Sequence, residues 1–413
     1  MQSRWSRYTV YGSADVEQTV STIVREVAVR VDKTVPSEHL RCLVLFGGYG
    51  RGEGGVETQG EKAVPHNNLD FLVITKKVTR KQQADYQRQV NEAVQPVRER
   101  FGVGVDLTAI SDKKLKSAPS LVMWYDMRFG HKTVLGDANF VPSLKHFDLS
   151  KIPAWNVRDL MVNRGTLIVI NDFLLDELDS SLSEKGRRSI VKHAMKAIIG
   201  YGDSLLFFLN DYDWSYCKKQ ARMKDHTRVP PEFQRLYEEA ISFRFQPDYS
   251  SYLQRDLTEW MDELRETLKP VHLSCEQKRL GKPSLTWSEY FDTALRHAMF
   301  EDLGSARGIA KKARNLMRRE AIGRHRPLTA RLGGRSVGLT GCVPIVFPVL
   351  SFFVDDERLR FLAGDLLGEV VSTPRELRRL YLQRWGMHGD TNFNSFLRDH
   401  AMSVEAEPQE VGV

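Results

Sequence analysis

The chain has 413 residues, of which 41% are hydrophobic and 27% are charged, and its formal net charge is +7 at pH 7. This composition excludes a disordered or fibrous chain, and the length predicts two or three domains with cores of their own. The four cysteines are widely separated and form no C-x-x-C pair, so neither a disulfide framework nor a zinc site is indicated. Because the first residues also lack an apolar run of signal-peptide length, we expect a cytoplasmic protein.

Apolar periodicity in the first third of the chain predicts an alternation of helices and strands. Valine and isoleucine recur at helical spacing over residues 14–32, which predicts an amphipathic helix. Strands are predicted at residues 42–46, 71–75 and 103–110, with a helix over residues 79–100 before the last strand.

Long helical patterns replace the strand patterns after about residue 150. They predict helices at residues 157–178, 185–209, 231–245, 252–268 and 288–321, and a further helix that starts near residue 374. The predicted fold class is therefore α+β. A small mixed-sheet core occupies residues 1–150, and an all-helical domain follows over residues 151–413, with a further division near residues 270–335.

An uncharged stretch at residues 337–354 is long enough to raise the question of a membrane span. Pro344, Pro348 and two glycines interrupt it, so the pattern favours a buried segment of a globular domain. We therefore expect no membrane partner.

The densest chemical signal is LVLFGGYGRGEGG at residues 43–55, followed by NNLDFLVIT at residues 67–75. Six glycines let backbone N–H groups approach a phosphate closely, and Arg51 adds a guanidinium with a fork of donors. Asp70, at the entrance of the next predicted strand, is a suitable oxygen ligand for Mg²⁺ or Mn²⁺. The stretch predicts a nucleotide-binding loop with these contacts: Gly47, Gly48, Tyr49, Arg51 and Glu53.

Two other phosphate-binding motifs fit the same letters less well. Residues 50–55 satisfy G-x-G-x-x-G, but no helical periodicity follows and Asp70 precedes a strand, which excludes the dinucleotide fingerprint. A protein-kinase loop is excluded because the chain lacks a V-A-I-K-like strand and an H-R-D loop.

Gly47-Gly48 after an apolar strand, and Asn68-Leu69-Asp70 on the next strand, resemble a known pattern. The region is similar to the nucleotidyltransferase superfamily of DNA polymerase β, whose pattern is apolar-Gly-[Gly/Ser], a spacer and Asp-x-Asp. The resemblance covers about residues 15–140, with a weaker match to the helical domain of such proteins at residues 194–222. It implies that Asp70 and Asp106 bind metal ions, with Asp106 in VGVDLTAI as the third acid, and that a Gly-Asp pair ends a short strand within residues 130–140.

Asn68 departs from this pattern, because the family has a metal-binding aspartate at its position. An amide oxygen can coordinate Mg²⁺ but attracts it much less than a carboxylate does. Three explanations stay open: a substitution that traps substrate, a pseudoenzyme that still binds nucleotide, or a change tolerated because Glu53 acts as a substitute acid.

The resemblance implies transfer of a nucleoside monophosphate from an NTP, expected to be ATP, to an acceptor hydroxyl that Asp106 helps to deprotonate. The sequence predicts neither the acceptor nor the oligomeric state. Asn68 favours one alternative, a catalytically silent NTP-binding or regulatory protein.

A basic segment at residues 305–335 contains ten Lys or Arg and one acid, Glu320. On a helix, Lys311, Arg314 and Arg318 would share a face, which could bind a polyphosphate or an RNA backbone or could simply be solvated. An RNA-binding protein that uses this segment is the second alternative function.

Four further residues have both a functional and an ordinary interpretation. His66, in the loop before Asn68, could approach a triphosphate, but we expect it to face solvent. Asp203, Tyr212 and Tyr216 could line an acceptor pocket, but we expect them to serve in helix capping and core packing.

Overall fold

The computed structural model describes residues 7–178, 182–301, 303–304, 306–318 and 320–388, so Ser305 and Arg319 of the basic segment lie outside the described residues. The chain divides into two compact units. The first comprises the residues up to Val157 together with Asn210–Tyr249, and the second comprises Arg158–Leu209 and the residues from Ser250 onward. Each unit is described separately.

Within the described residues, the strands all lie in the first unit. They are β1 (Leu40–Phe46), β2 (Val56–Gln59), β3 (Lys62–Pro65), β4 (Leu69–Thr75), β5 (Val105–Ser111) and β6 (Lys132–Gly136). Strands β5, β4, β1 and β6 form a mixed sheet in that order, in which β1 is antiparallel to β4 and β6 while β4 and β5 are parallel. Strands β2 and β3 form a separate hairpin.

The helices are, in chain order, α1 (Ala14–Thr34), α2 (Gly47–Arg51), α3 (Arg80–Ala93), α4 (Gln95–Phe101), α5 (Asp112–Ser117), α6 (Val122–Phe129), α7 (Phe140–Ser143), α8 (Ala154–Leu178), α9 (Glu184–Phe208), α10 (Tyr216–Lys224), α11 (Pro231–Phe245), α12 (Ser250–Leu253), α13 (Leu257–Arg279), α14 (Trp287–Phe300), α15 (Ala306–Met317), α16 (Leu328–Phe352), α17 (Glu357–Leu367) and α18 (Pro374–His388). The mixed sheet followed by long helices confirms the predicted α+β class.

Alternation along the strands sends side chains to both faces of the mixed sheet. On one face, Leu43, Leu45 and Val73 pack in a core with the apolar stripe of α1. On the other face, Val44 and Ile74 pack in a second core with residues of α6 and α7. Asp70, two residues before Leu72 and four before Ile74, lies in register with this second face.

The second unit is helical in its described residues, and its interior holds a polar cluster on α13. His272 and Glu276 are fully buried, and both carboxylate oxygens of Glu276 accept hydrogen bonds of 2.7 Å from Arg279. The hydroxyl of Tyr201 lies 3.1 Å from His272 Nδ1, and burial lowers the pKa of His272 to about 4.

Helix α16 contains Pro344 and Pro348 within its length, so the predicted interruption at these prolines is wrong. The break falls at Gly338, one of the two glycines that were predicted to interrupt the stretch, which has φ 71° and ψ 166°. Within the described residues, Ala330–Phe352 is the one helical stretch long and apolar enough to cross a membrane, and 67% of its most apolar window is buried inside the protein.

Several predicted elements differ from the structure at breaks that periodicity did not reveal. The helix predicted over residues 79–100 is divided at Val94 into α3 and α4, and the one predicted over residues 288–321 is divided into α14 and α15. The pattern predicted for residues 252–268 contains the end of α12 and most of α13. Helix α11 has the predicted bounds, and Thr373 with Glu376 caps the start of α18 as predicted.

Candidate functional site

Two carboxylates lie side by side at the edge of the mixed sheet. Asp70 and Asp106 are register partners in the parallel pair of β4 and β5, so their side chains project from the same face. Asp70 is half-buried and Asp106 is exposed. The structure therefore brings together the two acids that the sequence separates by 35 residues, and it places Asp70 inside β4 rather than before it.

Gly47 fits closely against one of these acids. Phe46, the last residue of β1, is the register partner of Asp70, and Gly47 follows with φ +64°, a conformation that favours glycine. A methyl group added at Gly47 would lie 2.3 Å from Asp70 Oδ2, so only a residue without a side chain allows the carboxylate this position.

Asn68 completes the same face of the sheet edge. Its Nδ2 donates a hydrogen bond of 2.9 Å to Asp106 Oδ2, and both side chains are exposed. A methyl group added at Gly104 would lie 2.2 Å from Asn68 Oδ1, so this glycine leaves the space that the amide occupies. Asn68 therefore stands beside Asp106, where a carboxylate would bring two negative charges together in the absence of a cation.

The remainder of the glycine loop is buried. Gly47 is half-exposed, whereas Gly48, Tyr49 and Arg51 are buried in α2. Tyr49 donates a hydrogen bond of 2.8 Å from its hydroxyl to the carbonyl oxygen of Gly55. The loop is thus anchored to the protein interior, and Gly47 is its most accessible residue among these.

Arg51 forms a buried ion pair rather than an exposed phosphate contact. Its Nη2 donates a hydrogen bond of 2.8 Å to Asp126 Oδ2, and the hydroxyl of Tyr212 donates to both oxygens of Asp126. Burial opposes the charged form, but Asp126 holds the pKa of Arg51 above its ordinary value. Within the described residues, the buried Nε and Nη1 of Arg51 have no hydrogen-bond partner.

Glu53 holds a helix in place next to the loop. It is 1% exposed, and its carboxylate accepts hydrogen bonds from Ser215 Oγ at 2.5 Å, Tyr216 N at 2.8 Å and Cys217 N at 3.4 Å. An acid at the first N–H groups of α10 stabilises that helix. These contacts join the glycine loop to residues that follow it by more than 160 positions.

Three cations surround the ring of Tyr216, which the sequence analysis did not foresee. Lys219 Nζ lies 4.1 Å from the ring centroid, and the guanidinium carbons of Arg244 and Arg51 lie 4.2 and 4.8 Å from it. These are cation–π distances. The cluster places positive charge beside the glycine loop, with Glu53 and Asp126 as acids close to it.

Arg244, a member of this cluster from outside the glycine loop, lies against the backbone of that loop. It is half-buried, and a methyl group added at Gly48 would lie 3.2 Å from its Nη2. Its Nε is buried and has no hydrogen-bond partner among the described residues. Sequence reasoning missed Arg244 because it lies about 190 residues after the loop, in the SFRF stretch of α11, which has no motif of its own.

The four residues for which the sequence allowed both a functional and an ordinary interpretation have ordinary structural environments. The side chain of His66 is 7% exposed and its Nδ1 lies 3.1 Å from Glu57 Oε2, so the expectation that it faces solvent is wrong. Tyr212 and Tyr216 belong to the charged cluster of the first unit. Asp203 is buried in α9, in the second unit.

Two cavities in the first unit lie along α1 and not at the carboxylates. One of about 510 Å³ is lined by Arg7, Tyr8 and Glu17 among others, and one of about 400 Å³ is lined by Arg25, Asp32 and Leu135 among others.

The described residues contain no group of three or more His, Cys, Asp or Glu that could hold a metal ion. At the sheet edge, the possible ligands are the oxygens of Asp70, Asp106 and Asn68, which are hard donors of the kind that Mg²⁺ and Mn²⁺ prefer.

No protein-family model matches the chain, and no curated protein is similar to it.

Proposed function

We propose that the chain is a Mg²⁺- or Mn²⁺-dependent nucleotidyltransferase that transfers a nucleoside monophosphate from an NTP, expected to be ATP, to an acceptor hydroxyl. Asn68 makes its turnover low. The observation that carries the proposal is the pairing of Asp70 with Asp106 in register, with Asp70 Oδ2 directly against the turn at Gly47. This arrangement combines two acids suited to metal binding with the half-exposed turn at Gly47, whereas the loop after that turn is buried.

The set of oxygen donors suits a divalent cation, although the total negative charge of these donors is small. Asp70 and Asp106 would hold the metal with their carboxylates, and Asn68 would contribute Oδ1, since its Nδ2 is bound to Asp106. When bound, Mg²⁺ would neutralise the charge of the phosphates and orient them. Two carboxylates offset less positive charge than three, which is why we assign a low turnover to this chain.

The chain itself supplies a group that takes up the proton of the acceptor hydroxyl, and it leaves room for the groups at the reacting centre. The acceptor oxygen forms a bond to the α-phosphorus, the bond from that phosphorus to the bridging oxygen of the β-phosphate breaks, and pyrophosphate leaves. Asp106 is exposed and receives the proton of the acceptor hydroxyl. Gly47 leaves the space that Asp70 Oδ2 occupies, so the carboxylate can lie directly against the turn.

We assign contact with the leaving phosphates to Arg244, because its guanidinium lies against Gly48 with an unsatisfied Nε. Arg51 and Glu53 support the loop through Asp126 and through the start of α10. A direct contact of Tyr49, Arg51 or Glu53 with nucleotide stays a prediction that their burial does not favour.

A catalytically silent NTP-binding protein is the second candidate, and one contact favours it. The hydrogen bond from Asn68 to Asp106 satisfies the exposed acid without a cation. Such a protein would bind NTP and metal, as the first proposal requires, but would not release pyrophosphate.

The test is incubation of the chain with each α-labelled NTP and with Mg²⁺ or Mn²⁺, with label transfer and pyrophosphate as readouts. We expect slow transfer from the unmodified chain and at least about a tenfold increase for Asn68→Asp, which corresponds to roughly 1.4 kcal/mol of transition-state stabilisation. Asn139→Asp is the matched control, because it adds the same charge at an exposed position of the first unit. Adding Asp70→Ala to Asn68→Asp should abolish transfer.

The possible outcomes separate the two candidates. NTP binding without transfer, in both the unmodified chain and the Asn68→Asp variant, would support the silent protein. A failure to bind any NTP at millimolar concentration with either metal would contradict both.

A further inference from the structure

Helix α15 packs against the rest of the second unit through one side, which carries polar residues. Gly308 is buried, and Lys312 and Asn315 are half-buried at the spacing of one helix face. Lys312 Nζ donates a hydrogen bond of 2.6 Å to the carbonyl of Ala298, and Asn315 Nδ2 lies 3.1 Å from the carbonyls of both Ser336 and Val337. These contacts fix the orientation of the helix.

The apolar side of the same helix consequently faces outward. Ile309, Ala313, Leu316 and Met317 recur at helical spacing, and Ile309 is 53% exposed while Met317 is 75% exposed. Further exposed apolar side chains lie at the end of α14, in the turn before α15 and at the start of α16: Phe300, Leu303, Leu328 and Leu332. An apolar set of this size, concentrated in one part of the chain, is typical of an interaction surface.

Exposed cations accompany this apolar side. Lys311, Arg314 and Arg318 are exposed on α15 and directly after it, Arg324 is exposed in the segment that leads into α16, and Arg331 is exposed in the first turn of α16. The single acid of residues 305–335, Glu320, lies 3.7 Å from Arg318. The surface is thus both apolar and strongly cationic, and we name it the α15 surface.

The combination of apolar and cationic side chains favours one binding partner of the α15 surface over the others. A second copy of the chain would bring two cationic surfaces together, which charge repulsion opposes. A nucleic acid would satisfy the cations but would leave Ile309, Leu316 and Met317 without an apolar partner. An anionic lipid surface satisfies both, because apolar side chains enter the headgroup boundary while Lys and Arg meet the lipid phosphates.

We propose that the α15 surface binds the anionic surface of a lipid bilayer, as a peripheral contact in which no helix crosses the membrane. From the prolines and glycines that interrupt the apolar stretch at residues 337–354, we expected no membrane partner. A peripheral contact through the α15 surface differs from that expectation. It is independent of the nucleotidyltransferase proposal.

The experiment is co-flotation of the full chain with vesicles that contain phosphatidylcholine alone or phosphatidylcholine with phosphatidylglycerol. We expect binding to the anionic vesicles that weakens as salt rises. Lys311→Gln/Arg314→Gln/Arg318→Gln should reduce the partition coefficient on the order of a hundredfold, at about fivefold per cation. Ile309→Glu/Met317→Glu should reduce it to the level of phosphatidylcholine vesicles.

Matched control variants separate the surface from net charge and from exposed apolar area in general. Arg88→Gln/Arg100→Gln/Lys116→Gln removes three exposed cations of the first unit, and Val370→Glu changes a valine that is 61% exposed. Both should float with anionic vesicles nearly as the unmodified chain does.

Three results would overturn the proposal. One is no flotation with anionic vesicles at low salt, and another is equal loss of binding in the control variants. The third is RNA retention that depends on Lys311, Arg314 and Arg318 but not on Ile309 and Met317, together with no lipid binding, which would assign the surface to nucleic acid.

Discussion

Replacing Asn68 by aspartate should make the stability of the chain depend on a divalent cation. In the structure, Asn68 Nδ2 donates a hydrogen bond of 2.9 Å to Asp106 Oδ2. Asn68→Asp removes this donor and places a second negative charge beside Asp106. Without a metal ion, both effects favour the unfolded chain, in which the two carboxylates are apart.

The magnitude follows from the exposure of both side chains. Loss of the hydrogen bond costs about 1 kcal/mol, and two like charges about 4 Å apart in water repel by about 1 kcal/mol. The free energy of unfolding should therefore fall by about 2 kcal/mol, or by roughly 4–8 °C in Tm for a unit of this size. Mg²⁺ at ten times its dissociation constant would restore about 1.4 kcal/mol.

The assay is thermal and urea unfolding of the unmodified chain, Asn68→Asp and the control Asn139→Asp, in EDTA and in a Mg²⁺ titration. Asn68→Asp/Asp106→Asn should recover stability in EDTA, because the exchanged pair restores a donor opposite an acid. If Asn68→Asp is as stable as the unmodified chain in EDTA and gains nothing from Mg²⁺, the reasoning that places Asn68 at a cation position is refuted.

Three further predictions concern the buried charges and the glycine loop. Arg51→Ala should lower the free energy of unfolding by about 3–5 kcal/mol, because it leaves Asp126 buried without its cation; urea unfolding should show no comparable loss for the exposed control Arg88→Ala. The folded pKa of His272, about 4, lies below the unfolded value near 6.5, so the unfolded chain binds more protons between these values. Stability should therefore fall as pH falls from 6.5 to 4, by roughly 3 kcal/mol more than in His272→Gln, and parallel urea-unfolding profiles for the two chains would contradict the assignment. Arg244→Gln should weaken NTP binding about tenfold in calorimetric titration with little change in unfolding free energy, whereas unchanged affinity would remove Arg244 from the phosphate contact.

The parts of the fold that local patterns determine were predictable from the sequence. Helix α1 follows from valine and isoleucine at helical spacing, and the start of α18 follows from Thr373, Pro374 and Glu376, whose signals act within one turn. The three predicted strands all occur in the mixed sheet, with bounds that differ by up to two residues. Breaks such as the one at Val94 escaped prediction, because helical periodicity continues in sequence across them.

The environment of the glycine loop could not be predicted, because it depends on residues far away in the chain. Arg51 meets Asp126 after 75 positions, and Glu53 meets Ser215 after 162 positions. A charged residue in a glycine-rich stretch has the same sequence signal whether it contacts a ligand or a buried counter-ion. The partner of Glu53 lies in residues 210–249, which belong to the first unit although they follow its first stretch by more than 50 positions.

The charges around the glycine loop explain why no nearby acid can compensate for the amide at Asn68 in the proposed metal site. The acids near the loop are divided between two tasks, since Glu53 and Asp126 are occupied by α10 and by Arg51 inside the protein. Neither can move to the sheet edge without leaving buried donors or a buried cation unpaired, which would cost several kcal/mol. Glu53 is therefore poorly placed to act as a substitute acid in the proposed metal site, where Asp70 and Asp106 are the negative charges. A gain of cation binding in Asn68→Asp that survives Glu53→Gln would support this division of tasks, whereas a gain that requires Glu53 would show that the carboxylate reaches the metal after all.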